Sequence, residues 1–437
     1  MATHLQGGCV IPIRPAGVAW PGGSLVMTGR HITYAGHQPS APEPGDVVVD
    51  CRGLAVIPGL VNAHSHLAMT LFRGWADDLP LHRWLKELVW PAEARLSGEA
   101  VYWGSALALV ELLEGGVTTV ADMYFFMDQV AAAVLAAGGR ALLARGVVGG
   151  PGVAAAVAET VALHREFDGA DDGRLRVWVG PHAPYTCPPP LIRRLGDLAD
   201  RLGCGIHIHL QETDQEVSES LATFGVTPTA RLAAEGLLAR PVLAAHGVHL
   251  SAADVAELGR HRVGVAHCPP SNLKLACGLA PVGDLLAAGV PVGLGTDGAG
   301  SGGPLDLWLA MRLATLLAKL RAGDPAALPV QNVLEAATLG GAQALGWADR
   351  IGTLEAGKEA DVVLVHLDRP HQLPAPDPRN RLVYTTRPSD VAAVFVAGRQ
   401  VVADGVVSCL DRDEVAARAR AASAALWPAG SAATTGG

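Results

Sequence analysis

Between residues 54 and about 320, short runs rich in Val, Ile, Leu and Ala alternate with longer Ala/Leu-rich stretches of helical spacing. The runs at 54–61, 118–122, 141–147, 175–180, 205–209, 242–246, 263–267 and 292–296 read as buried strands, and 100–113, 189–202 and 305–320 as helices between them. Eight such strand–helix units predict a (β/α)8 barrel, whose working groups gather at the C-terminal ends of its strands. The flanks, 1–53 and 352–410, differ: they are rich in Gly and Pro, with short Val/Ile runs and no long helix. The last residues, 428–437, are Gly/Ala/Ser/Thr-rich and are expected to be disordered.

Composition narrows the classes of function. At 437 residues, with 50% hydrophobic and 17% charged side chains, the chain has material for a large core and a satellite domain. A net charge of -9 and four lysines leave no basic stripe for nucleic acid. Seven cysteines without a Cys-x-x-Cys pair argue against a disulfide framework and a thiolate zinc site, and favour the cytoplasm. No signal peptide or membrane span is expected, because the Ala-rich stretch 130–148 is broken by Gly138, Gly139, Arg140 and Arg145.

The candidate chemistry lies at predicted strand ends. Residues 58–66, Pro-Gly-Leu-Val-Asn-Ala-His-Ser-His, put His64 and His66 on one side of an extended segment, as two neighbouring ligands require. Residues 205–213, Gly-Ile-His-Ile-His-Leu-Gln-Glu-Thr, carry a second pair. His209 sits at the strand end, while His207 lies one alternation deeper and reads as a hydrogen-bonded wall residue. The sixth strand ends in Ala-Ala-His-Gly-Val-His, containing His246, and the eighth in Gly-Thr-Asp-Gly, containing Asp297. His64, His66, His209 and Asp297 together form a ligand set suited to Zn2+, with Fe2+ as the alternative. A hydrolase built around metal-activated water also needs a proton shuttle, and Glu212, three residues past His209, is the candidate general acid/base.

Five further stretches carry a resemblance: 73–79 (Arg-Gly-Trp-Ala-Asp-Asp-Leu), 90–95 (Trp-Pro-Ala-Glu-Ala-Arg), 121–125 (Ala-Asp-Met-Tyr-Phe), 180–187 (Gly-Pro-His-Ala-Pro-Tyr-Thr-Cys) and 271–275 (Ser-Asn-Leu-Lys-Leu). With the ligand motifs, they make the chain resemble the amidohydrolase superfamily over about 50–410, specifically its S-adenosylhomocysteine/5'-methylthioadenosine deaminases. The resemblance implies a TIM barrel at 54–351 and a small β-sandwich domain composed of 1–53 and 352–427. Two-metal relatives hold their ions with a carboxylated lysine on the fourth strand; the segment 176–184 has none, so one divalent metal per subunit is expected. The Pro-Cys-x-x-Cys element of cytidine-type zinc deaminases is absent.

By the same resemblance His246 stands beside the attacking water, with metal ligation as the alternative, and Asp297 orients that water. Glu93, Arg145 and His182 are implied substrate contacts, with Glu93 accepting hydrogen bonds from a ribose diol. Trp84 is a candidate cover for the sugar or 5' group, or a core residue. Arg145 is alternatively a structural ion-pair partner, and Glu93 a solvated helix residue. The chain departs from the family pattern at 149–156, which lacks a cation and so favours an uncharged 5' group, and at Gly247 and Cys268. It departs again at 298–303 (Gly-Ala-Gly-Ser-Gly-Gly), where changes are expected to alter the rim without touching the ligands. The expected reaction is hydrolytic deamination of an adenine nucleoside: 5'-methylthioadenosine, 5'-deoxyadenosine, adenosine or S-adenosylhomocysteine. Rival readings are deamination of guanine or aminodeoxyfutalosine, and triazine dechlorination. A non-enzymatic scaffold predicts eroded ligands, whereas all four and Glu212 are present. Assembly into a homo-oligomer is compatible with each.

Overall fold

A computed structural model describes residues 1–75 and 78–426. Eight strands close a parallel barrel: Leu60–Ser65, Val117–Tyr124, Arg140–Val147, Leu175–Pro181, Ile206–Leu210, Val242–His246, Gly264–His267 and Val292–Leu294. The predicted barrel is therefore present, with strand ends displaced by a few residues. Its helices follow from simple cues. In Pro189–Leu202, Leu191, Ile192, Leu195, Leu198 and Ala199 bury one stripe, and Gly203 (φ 67°) ends the helix in the left-handed conformation that suits glycine. Ser97 caps Gly98–Glu114 by accepting a hydrogen bond from the Ala100 amide, and Asp306 caps Leu307–Ala322 through Leu309.

One apolar run does not behave as read. Residues 54–61 divide at Gly59: Leu54–Pro58 joins the terminal sheet, and the first barrel strand starts at Leu60. A Cβ at Gly59 would lie 2.1 Å from Thr118 Oγ1, so only glycine lets the chain cross there. Leu54–Pro58 pairs antiparallel with Val362–His366 and parallel with the end of Ala2–Val10. The terminal sheet runs Val406–Val407, Arg399–Ala403, Val391–Val396, Val362–His366, Leu54–Pro58, Ala2–Val10, Trp20–Thr28, His31–Gly36, with Val47–Asp50 beside Ala2–Val10. Leu5, Leu25, Ile32, Val56, Val362 and Phe395 are among the residues that give it a core of its own.

The sheet and barrel meet through a shared apolar core, to which Ile57, Val363 and Val391 contribute, and through charge. Arg140, fully buried at the start of the third barrel strand, donates to both oxygens of Asp361 (3.1 and 3.2 Å) and to Glu359. A C-terminal helix, Arg412–Leu426, which the sequence reading did not identify, packs on Gly98–Glu114 and donates from Ser423 Oγ to the Leu71 carbonyl (2.7 Å). The segment expected to be disordered, 428–437, lies outside the described residues, as do Ala76 and Asp77 of the 73–79 motif.

Candidate active site

His64 is the penultimate residue of the first barrel strand and His66 follows it; His207 and His209 lie on the fifth, and His246 ends the sixth. The Asp297 amide donates to the His64 carbonyl (3.1 Å), which ties the loop after the eighth strand to the first. Asp297 and His246 both adopt positive φ (60° and 74°), a strain that non-glycine residues hold only where their surroundings impose it.

The protonation pattern of the histidines bears directly on a metal. Nδ1 of His66 lies 2.5 Å from the Met123 carbonyl, and Nδ1 of His209 lies 2.7 Å from the His182 carbonyl. A carbonyl only accepts, so each Nδ1 carries a proton, which in the neutral ring leaves Nε2 as the lone pair available to a metal. Those two Nε2 atoms face each other at 3.2 Å. His64 Nε2 is buried without a hydrogen-bond partner, while its Nδ1 lies 2.9 Å from His207 Nε2. Asp297 Oδ1 stands 3.4 Å from His64 Nε2 and 3.3 Å from His66 Nε2. Its Oδ2 accepts hydrogen bonds from Ser271 and Ser301, both at 2.6 Å. Burial lowers the pKa of His64 to about 3 and drives that of His209 far down, so both imidazoles stay neutral. Burial raises Asp297, but the facing imidazoles outweigh it and hold the carboxyl well below its usual range. These facing atoms offer converging electron pairs, which a cation accepts together where a proton satisfies them only in part. Three imidazole nitrogens and one carboxylate oxygen fit a zinc ion, and His207 is the outer partner that orients His64.

Beside this cluster Glu212 Oε2 lies 3.8 Å from His246 Nε2, and Nδ1 of His246 lies 2.9 Å from Asn272 Oδ1. Burial pushes the Glu212 carboxyl up, favouring its protonated form. Burial lowers His246, but Glu212 and Asp297 outweigh that effect and raise it. The Glu212 loop is clamped twice. Glu216 accepts from the Glu212 amide (3.1 Å), and Gln211 donates to the His249 carbonyl (2.6 Å) while accepting from Thr229.

His66, His209, Glu212, His246 and Asp297 line one cleft together with Trp84, Glu93 and His182. His64 is sealed behind it. Trp84 is both buried core and cleft wall. Glu93 accepts from the Tyr124 hydroxyl (2.8 Å), and burial raises its pKa to about 7. His182, brought down to about 4 by burial, engages Thr186 through Nδ1 at 2.9 Å. Arg145 is not in this cleft. It lines an adjoining chamber, where its Nε donates to Glu159 (2.6 Å) and its Nη1 to the Gly146 carbonyl.

The family model described as "Amidohydrolase family" matches residues 55–401. The chain belongs to the amidohydrolase family. It is 46% identical over 420 residues to a 5-methylthioadenosine/S-adenosylhomocysteine deaminase of Pelotomaculum thermopropionicum, covering 95% of this chain and 96% of the relative. It is 48% identical over 399 residues to the protein of the same name from Moorella thermoacetica, covering 91% and 93%. Among solved structures, an adenosine deaminase from Xanthomonas campestris with bound zinc superposes with a TM-score of 0.93 at 37% identity, covering 97% of this chain and 98% of that one. An atrazine chlorohydrolase from Arthrobacter aurescens complexed with zinc gives 0.88 at 26% identity, covering 96% and 100%. This amidohydrolase is accordingly a divalent-metal hydrolase of carbon–nitrogen bonds.

Several supporting groups in this amidohydrolase were missed as such in the sequence. Ser271 and Asn272 lie in the 271–275 motif, whose chemistry the spacing does not reveal. Ser301 corrects an expectation: the unusual 298–303 loop does touch a ligand, through its hydrogen bond to Asp297. The glycines around Ser301 permit this approach, since a Cβ at Gly302 would lie 2.4 Å from the Thr296 carbonyl oxygen.

Proposed function

We propose that this amidohydrolase deaminates 5'-modified adenosines, replacing the 6-amino group with oxygen and releasing ammonia. 5'-Methylthioadenosine, 5'-deoxyadenosine and adenosine are its substrates, with S-adenosylhomocysteine at the margin. The observation that carries this reading is one cleft lined by His66, His209 and Asp297, with His64 directly behind them, and by the buried carboxyls of Glu212 and Glu93. His64, His66, His209 and Asp297 are the proposed ligands, and a divalent ion held there lowers the pKa of water to about 7.

Glu212, whose neutral form burial favours, takes the first proton of the attacking water and delivers it to the ring nitrogen beside C6 as the water oxygen bonds to C6. It then takes a proton from the added oxygen and passes it to the amino group, so that the C6–N bond breaks and ammonia departs. His246 is held by Asn272 with Nε2 toward Glu212, and it hydrogen-bonds the attacking water. Asp297 keeps one oxygen on the two serines and orients the water with the other. Tyr124 occupies one position on Glu93 Oε1, leaving Oε2 for the ribose. His182 offers its remaining ring nitrogen to the substrate, and Trp84 packs on the sugar.

Seven unpaired cysteines support a cytoplasmic location, and no helix among the described residues is long and apolar enough to cross a membrane. The test is a panel of nucleosides and aminopurines on zinc-loaded protein, followed by ultraviolet change and ammonia release. Turnover of adenosines is expected. Activity on guanine or a chlorotriazine with none on any adenosine sinks the assignment.

A further inference from the structure

Beyond Glu93 the cleft opens into a side chamber with about 1690 Å³ of free space, counting its open mouth. The two share Trp90, Glu93, Phe125 and Val148. A nucleoside whose diol rests on Glu93 thus has this chamber open beside it for a 5' substituent. The walls are largely aromatic and aliphatic: Trp90, Leu96, Phe125, Phe126, Leu163 and Phe167. Phe126 is 42% exposed and holds a positive φ of 49°, an apolar ring kept at the mouth against both hydration and backbone preference.

The charges of the chamber are unequal. Among the described residues lining it, Arg145 is the one cation, against Glu93, Asp128, Glu159 and Glu166. Arg145 is already occupied: Glu159 accepts from its Nε at 2.6 Å, the Gly146 carbonyl accepts from Nη1, and the guanidinium lies 5.0 Å from the Phe125 ring centre. The neighbouring 149–156 segment supplies no second cation. An amino-acid tail entering here competes with Glu159 for Arg145, whose Nε and Nη1 are already engaged. Replacing Glu159 swaps one carboxylate for another and returns an exposed side chain to solvent, so the charge of the tail yields little net attraction. An uncharged apolar tail meets no such exchange and buries its surface against the rings.

We propose that this chamber selects bulky, uncharged, apolar 5' substituents, and that Glu159 is a specificity-determining residue that excludes carboxylate-bearing tails by neutralising Arg145. The proposal rests on the adenosine-deaminase reading.

The test is steady-state kinetics on the zinc-loaded full chain with adenosine, 5'-deoxyadenosine, 5'-benzylthio-5'-deoxyadenosine and S-adenosylhomocysteine. The benzylthio compound is expected to exceed S-adenosylhomocysteine in kcat/KM by roughly tenfold or more. Glu159→Gln leaves Arg145 unneutralised and should raise the ratio of S-adenosylhomocysteine to benzylthio turnover about fivefold or more. Ala162→Trp, at an exposed position on the chamber wall, should depress the benzylthio compound relative to 5'-deoxyadenosine by roughly tenfold. A purely structural role for Glu159 would alter all four substrates together. S-adenosylhomocysteine outrunning the benzylthio compound, or a ratio unmoved by Glu159→Gln, overturns the assignment while adenosine turnover leaves the deaminase reading standing. Failure of adenosine and 5'-deoxyadenosine to react removes both.

Discussion

Two buried clusters of ionisable side chains lie at opposite ends of this barrel, and they are balanced differently. At the start of the third strand, Arg140 sits between Asp361 and Glu359, and Glu359 also faces Arg30 and Arg350. Positive and negative groups pair with one another within the protein, although Arg140 Nη1 and Arg30 Nε keep no hydrogen-bond partner. At the mouth, His64, His66, His209 and Asp297 converge as electron-pair donors with no protein cation among them. The first cluster pairs its charges internally and joins the barrel to the terminal sheet, whereas the second pairs its electron donors only with a ligand. Burial alone therefore does not separate a structural cluster from a functional one; the balance of donors and acceptors does.

The sharpest way to break this comparison is Glu212→Gln. If Glu212 moves the protons, the amide should reduce kcat by about 10²–10⁴-fold while zinc content and melting temperature hold. Full turnover in this variant would remove the proton shuttle. At the other end, Arg140→Met removes the cation from buried Asp361, leaves Glu359 to Arg30 and Arg350, and should cost about 3–5 kcal/mol of stability, measured by denaturant unfolding. Activity of the remaining folded protein should persist. The acid limb adds a signed check. Burial raises Glu359, but Arg140 and Arg350 outweigh it, so its folded pKa is depressed. Its contribution is present above the unfolded value of 4.5 and lost as pH falls through the folded one, a loss that should shrink in Arg140→Met. An unchanged acid transition would argue that Arg140 is not the partner that matters.

The same contrast explains what was legible in the sequence. The barrel, the His-x-His pair, His209, Glu212 and Asp297 announce themselves because periodicity and strand-end position are local properties. The division of 54–61 at Gly59 was not legible, because a continuous apolar run looks the same whether one sheet or two bury it. What divides the run is a contact with Thr118, distant in sequence. His207 was read as a hydrogen-bonded wall residue, but its bond to His64, the link that makes it an outer support of the site, is a tertiary fact. Ser271 and Ser301 escape for the same reason. A hydroxyl near a carboxylate leaves no pattern in a chain when 26 residues separate Ser271 from Asp297.

A subtler variant, His207→Leu, sharpens the mouth itself. Nδ1 of His64 would lose the acceptor that fixes which nitrogen faces the site, and zinc affinity should fall by about 10–100-fold in a competitive chelator titration. Affinity equal to the parent's would mean that packing alone orients His64.

The smallest effect concerns Glu93. Burial raises its pKa to about 7 although the Tyr124 hydroxyl pulls the other way. With a raised folded value, ionising Glu93 in the empty cleft opposes folding as pH rises past the unfolded value, and a diol that donates to the carboxylate offsets that penalty. The ionised form is the one that accepts from both ribose hydroxyls, so KM for adenosine should rise as pH falls below about 7, by at most about tenfold per unit. 2',3'-Dideoxyadenosine has no diol to present, and its KM should stay nearly flat across the same range. Glu93→Gln should flatten the adenosine profile as well, at a higher KM throughout. Parallel profiles for the two nucleosides in the parent enzyme would place the diol elsewhere and leave Tyr124 as the sole partner of Glu93.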